Sequence, residues 1–132
     1  MNEVVADTHA IVWFLFDHQR LSGSARFALT GAAMSSTIHV SAISFVELAY
    51  LIDKSRFPAS ALDILIRQVG NPMSGVSLAP ITPDLARTIR LVSRKAVPDM
   101  PDRIIAATAL YLGLPLVTAD SQIHSSGISV IW

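Results

Sequence analysis

Apolar residues fall along this chain in short blocks of two kinds. Val4-Val5-Ala6 is an unbroken apolar run closed by Asp7, the pattern of a strand buried on both faces. Ile38 to Ala42, Val76 to Ile81, Leu116 to Thr118 and Ile128 to Ile131 read as further strands. Helices are predicted between them. Thr8 to Phe16 form the first, and Ser22 caps a second that runs to Thr30 and stops at Gly31. Ser44, with Glu47 at capping-box spacing, opens a third to Lys54. Pro58 begins a fourth that ends near Gly70. Thr82 and Pro83 cap and start a fifth to Lys95. Pro98 and Pro101 bracket a tight connection, after which Pro101 to Leu112 form a sixth closed by Gly113. Strands alternating with helices predict an α/β fold, three layers α/β/α around a mostly parallel central sheet. With no repeat, low-complexity segment or long linker, residues 1–132 read as one domain.

Such sheets gather their functional groups at the carboxyl ends of the strands. Asp7 and Asp120 both fall at predicted strand ends, while Glu47 and Asp102 sit in apolar segments at predicted helix starts. A carboxylate beside a core loses hydration, so four of them need compensation. Each has an ordinary reading by itself. Glu47 can complete a capping box, Asp102 can favour a helix dipole, and Asp120 can form an Asx turn. Asp99, between two prolines, can be a plain loop acid. Together they suggest a hard divalent cation, which takes oxygen ligands from several elements. Oxygen-only ligation points to magnesium or manganese, with His9 and His124 keeping a zinc alternative open. Acids with Mg²⁺ suit phosphodiester hydrolysis, where metal ions activate water, orient the phosphate and stabilise the leaving oxygen.

Composition narrows the field. Ten basic and ten acidic residues give zero formal charge, so a strongly basic nucleic-acid module is not indicated. Arg87, Arg90 and Arg94 recur at helical spacing and can share a face that holds RNA phosphates; a solvated face explains them equally well. Arg103 beside Asp102 can pair with a site carboxylate or touch substrate, pairing being the expected role. The absence of cysteine excludes disulfides, thiolate zinc sites and cysteine nucleophiles, and fits a cytoplasmic location. A hydrophobic content of 52% and a mean hydropathy of +0.50 are high for a domain this small. Yet no apolar run approaches the ~20 residues of a membrane span, and Asn2-Glu3 do not read as the start of a signal peptide. The excess apolar surface therefore suggests a partner, another copy or a dedicated protein. Gly-rich phosphate loops and Gly-x-Ser-x-Gly elbows are missing. His9 stands where a haloacid-dehalogenase-type phosphatase would carry its second Asp, and a receiver domain would want paired acids before Asp7 and a late lysine.

Several segments, in order, resemble the PIN-domain ribonucleases, and in particular the VapC toxins of type II toxin–antitoxin systems. Val5-Ala6-Asp7-Thr8-His9-Ala10 is similar to the family's opening strand and first acid, and Ser41 to Leu48 to the segment bearing the second. Asp99-Met100-Pro101-Asp102-Arg103, followed by an apolar Ala-rich helix, resembles the family's Asp-Pro-Phe-Asp-Arg segment. Thr118-Ala119-Asp120 matches the fourth-acid region, and Val130-Ile131-Trp132 a common ending. The resemblance spans nearly the whole chain and departs at Met100-Pro101, where Pro-Phe is usual. It implies a PIN-like fold, an acidic quartet of Asp7, Glu47, Asp102 and Asp120 holding one or two Mg²⁺ or Mn²⁺ ions, Thr118 as a helper and Asp99 as an auxiliary acid. It also implies RNA cleavage, a cognate antitoxin that covers the site, and a homodimer that assembles further with the antitoxin. The rivals are a catalytically silent PIN-like binding module and a structure-specific DNA nuclease.

Overall fold

The computed structural model describes residues 2–124 and 126–132. Five strands form one sheet: β1 (Val4–Ala6), β2 (Ile38–Ser41), β3 (Val76–Ala79), β4 (Leu116–Val117) and β5 (Val130–Ile131). Their order is β3-β2-β1-β4-β5, and every pairing is parallel. Successive residues of a strand point to opposite faces, and the two cores divide accordingly. Val4 and Ala6 enter one core with Ile38, Val40 and Val117. Val5 and Leu116 enter the other.

The first core is covered by α1 (Thr8–Leu15), α2 (Gly23–Ser35), α3 (Ala42–Asp53) and α4 (Ser60–Gly70), which contribute Ile11, Leu29, Leu48 and Leu65. The second is covered by α5 (Pro83–Ile89) and α6 (Met100–Leu112), through Leu85 and the buried run Ile104 to Ala107. The result is the expected α/β/α sandwich. A short α7 (Ser121–His124), not foreseen in the sequence, follows β4.

Several boundaries differ from the sequence reading, each for a packing reason. Ser22 caps α2 as expected, its hydroxyl accepting from the Ala25 amide at 3.1 Å. The helix nevertheless passes through Gly31 to Ser35, because Ala32 is buried and Gly31 faces open space. Ser41, not Ser44, caps α3, accepting from the Ile43 amide. The fifth helix ends at Ile89 rather than Lys95. Beyond it the chain turns so that Val92 and Val97 reach the second core, and Arg103 binds the carbonyls of Ile89 and Val92 at 2.9 and 3.0 Å. The sixth begins at Met100, which places Pro101 within its first turn.

Two glycines are required by geometry. Gly113 closes α6 in the left-handed conformation, with φ 68°. Gly75, with φ 75°, lies so close to α2 that a Cβ would stand 2.2 Å from the Ala33 carbonyl oxygen. The strand β3 can start there only because that side chain is absent.

Candidate active site

The connections β1 to β2 to β3 build the sheet in one direction, and the chain then returns to place β4 on the other side of β1. The gap between helices on opposite faces therefore opens above the carboxyl ends of β1 and β4. Asp7 follows β1 directly. Thr118, Ala119 and Asp120 follow β4. Glu47 arrives from α3 and Asp102 from the first turn of α6. These four acids line one cavity of about 340 Å³ with Thr8, His9, Trp13, Ile105 and Ala119. Among the described residues, no lysine or arginine lines it.

Hydroxyl groups hold the acids in place. Asp7 accepts from the Ala10 amide at 2.8 Å, so it caps α1 while facing the cavity. The buried Thr118 hydroxyl donates to the Asp7 carboxylate and accepts from the Asp120 amide at 3.1 Å. One side chain thus ties the first acid to the last. Thr8 and Ser44, both buried, stand 2.9 Å apart, and the Thr8 oxygen is 2.5 Å from Glu47 Oε1. Thr8 has a single proton and the carboxylate has none to give, so Thr8 donates to Glu47 and Ser44 donates to Thr8. Glu47 is therefore held by α1, and the expected capping box with Ser44 does not form. Asp120 does make the Asx turn anticipated for it, its Oδ1 accepting from the Gln122 amide at 2.9 Å.

Electrostatics register the crowding. Burial pushes the Asp7 carboxyl above its ordinary range, and Glu47 adds to the rise; the Thr118 and Ala10 hydrogen bonds and His9 oppose it. Asp102 is pushed up to about 6, first by burial and then by the charges of Glu47, Asp120, Asp99 and Asp7. Asp102 therefore senses all the other acids at once. Asp99 occupies the N-cap position of α6 without a capping bond, exposed and outside the cavity lining. It acts on Asp102 through its charge.

Two expectations about arginines are corrected. Arg103 does not pair with a site carboxylate; its guanidinium is turned to the end of α5, with Nε buried and unpartnered. Arg87, Arg90 and Arg94 do not share a helix face, because α5 ends between the first two. Arg87 lies 3.8 Å from Asp84, while Arg90 and Arg94 border a separate cavity with Arg103. Sequence reading also passed over Thr8 and Ser44 as site groups. Their signal was weak: two small polar residues at predicted helix starts, whose contact depends on folding across 36 positions.

Among the described residues, no three Asp, Glu or His side chains stand ready to close on one ion. The fit to a cation is one of donor type and charge. Four carboxylates from four elements face a cavity without an arginine or lysine, and two of them resist ionisation. Hard oxygen donors in that arrangement suit a divalent ion such as Mg²⁺ or Mn²⁺.

Residues 4–127 match the model of the PIN domain family. The chain belongs to the PIN-domain family. Within it, this PIN domain is 34% identical over 127 residues to Ribonuclease VapC22 of Mycobacterium tuberculosis, covering 95% of this chain and 92% of that protein. That relationship makes it a PIN domain of the VapC type. Solved structures carry the same fold. VapBC2 from Rickettsia felis, bound to a promoter DNA fragment, superposes with a TM-score of 0.70 at 17% identity, over 97% of this chain and 96% of that one. A toxin–antitoxin complex from Klebsiella pneumoniae gives 0.64 at 23% identity, over 98% and 96%.

Proposed function

We propose that this PIN domain is a divalent-metal-dependent endoribonuclease and the toxin of a type II toxin–antitoxin pair. The observation that carries the reading is the convergence of Asp7, Glu47, Asp102 and Asp120 on one cavity that, among the described residues, no lysine or arginine lines. The relative named a ribonuclease supports RNA as the substrate class, and the solved neighbour named a toxin–antitoxin complex supports an antitoxin partner. Asp7, Asp102, Asp120 and Glu47 would hold Mg²⁺ or Mn²⁺, which when bound supplies charge neutralisation and water activation for phosphodiester hydrolysis. The chain's own groups prepare that site. Thr118 orients Asp7 and the turn that carries Asp120. Thr8, backed by Ser44, fixes one oxygen of Glu47 at the wall of the cavity. Asp99 adds negative charge at the rim.

The cysteine-free composition supports a cytoplasmic role; among the described residues, no helix is long and apolar enough to cross a membrane. Exposed Phe27, Met34, Tyr50 and Leu91 supply apolar surface for a second copy and an antitoxin. The test is incubation of antitoxin-free protein with RNA, with and without Mg²⁺ or Mn²⁺. Cleavage should require the metal, stop with EDTA, and fall by at least about a hundredfold in Asp7→Asn and Asp102→Asn. Equal cleavage by either variant refutes the reading. Preferred cleavage of flapped DNA in competition would assign the chemistry to DNA instead.

A further inference from the structure

Beside the acidic cavity lies a second one, of about 530 Å³, that shares His9 and Trp13 with it. Its walls are aromatic. His9 and Trp13, one turn apart on α1, have ring centroids 5.4 Å apart, and Phe57 approaches His9 at 5.3 Å from the connection before α4. His18 stacks on Trp13 with centroids 5.8 Å apart and planes 23° apart. The rim is cationic: Arg20 and Arg56 both border it, and no acid does. Among the described residues neither guanidinium forms an ion pair with a carboxylate. So an acidic cavity and an aromatic, arginine-rimmed cavity meet along one side of α1.

We propose that the His9–Trp13–Phe57 cavity receives one unpaired nucleobase of the RNA substrate, next to the phosphodiester held at the acids, with Arg20 and Arg56 on the flanking phosphates. The inference rests on the ribonuclease reading of the acidic cavity and extends it to a specificity-determining subsite. Three features favour a base over a purely apolar occupant. Flat rings offer π-faces to any base. The unpaired arginines complement a polyanion and would be left without counter-charge beneath an apolar peptide. Continuity through His9 and Trp13 puts the next nucleotide of a bound strand at the cavity mouth. An unpaired base is required, because a base within a duplex cannot reach a recess in the protein.

The test uses Asp7→Asn protein, chosen to suppress turnover, and a fluorescein-labelled single-stranded RNA 12-mer whose cutting by the parent protein is assayed in parallel. Abasic sites are placed at each position in turn and affinity is read by anisotropy in Mg²⁺. One position, adjacent to the site at which the parent cuts, should lose roughly 5- to 140-fold, the value of one base–aromatic stack. Trp13→Leu should remove that positional penalty, with folding checked by circular dichroism; the abasic scan on unaltered aromatic residues stands even if this variant fails to fold. Arg20→Ala with Arg56→Ala should flatten the salt dependence by about two charges, whereas Arg67→Ala should not. Equal affinity at all twelve positions overturns the proposal. So does a Trp13→Leu protein that is folded, binds RNA as before and has lost antitoxin binding, since the cavity would then belong to a protein arm. Absence of cleavage by the parent with position-dependent binding intact would refute the nuclease reading and leave the subsite standing.

Discussion

Asp102 makes the cost of the acidic cavity measurable without substrate. In the folded protein its carboxyl is pushed from the ordinary 3.8 up to about 6 by burial and by four neighbouring acids. The native state therefore holds this proton more tightly than the unfolded chain does. Between about pH 4 and pH 6.5 the unfolded chain loses the proton first, and folding stability falls as pH rises through that window. Each tenfold change in proton affinity corresponds to about 1.4 kcal/mol, which caps the loss at roughly 3 kcal/mol. Asp102 is only partly buried, and screening by solvent brings the expectation to about 1–2 kcal/mol. Asp102→Asn removes the charge while keeping the shape. In EDTA at pH 7.5 the variant should be more stable than the parent by about that amount. At pH 3.5, where the parent carboxyl is also neutral, the two should unfold together. Urea unfolding at the two pH values reads this directly. Mg²⁺ should raise the parent's midpoint more than the variant's, because the ion neutralises what the substitution deletes. A variant less stable than the parent at pH 7.5, or a gain of the same size at both pH values, would refute the reasoning.

Other expectations test the packing. Arg103→Met should lower stability by roughly 1–3 kcal/mol in urea unfolding, since the carbonyls of Ile89 and Val92 lose a charged donor. Gly75→Ala should cost at least about 2 kcal/mol, from the left-handed backbone and the Ala33 carbonyl together. Gly31→Ala, in a helix and facing open space, should instead stabilise by roughly 0.5–1 kcal/mol. Thr8→Val should leave the protein folded but release Glu47, so metal-dependent RNA cleavage should drop at least about tenfold, while Thr37→Val, which precedes the amino end of β2 and lies outside the cavity lining, should not alter it.

Much of this architecture is written in local pattern. An apolar run such as Val4-Val5-Ala6 specifies a doubly buried strand wherever it occurs, and Gly113 or Thr82-Pro83 mark helix ends by backbone chemistry that needs no distant partner. The four acids stood out for the same reason: each is a charge set beside apolar neighbours. Tertiary structure decided the rest. Gly31 fails as a stop because burying Ala32 outweighs its poor propensity, and α5 ends early because Arg103, fourteen residues beyond Ile89, takes its terminal carbonyl. Ser44 serves Thr8 instead of a helix end because the two meet across 36 residues in a buried interface where an unpaired hydroxyl would be penalised. Whether Asp7, Glu47, Asp102 and Asp120 meet depends on the strand order, which sets β4 beside β1, and short-range periodicity does not encode that order. Which residues can carry the chemistry follows from residue type and local setting; the crossover of the sheet brings them to one cavity and sets aromatic rings beside it.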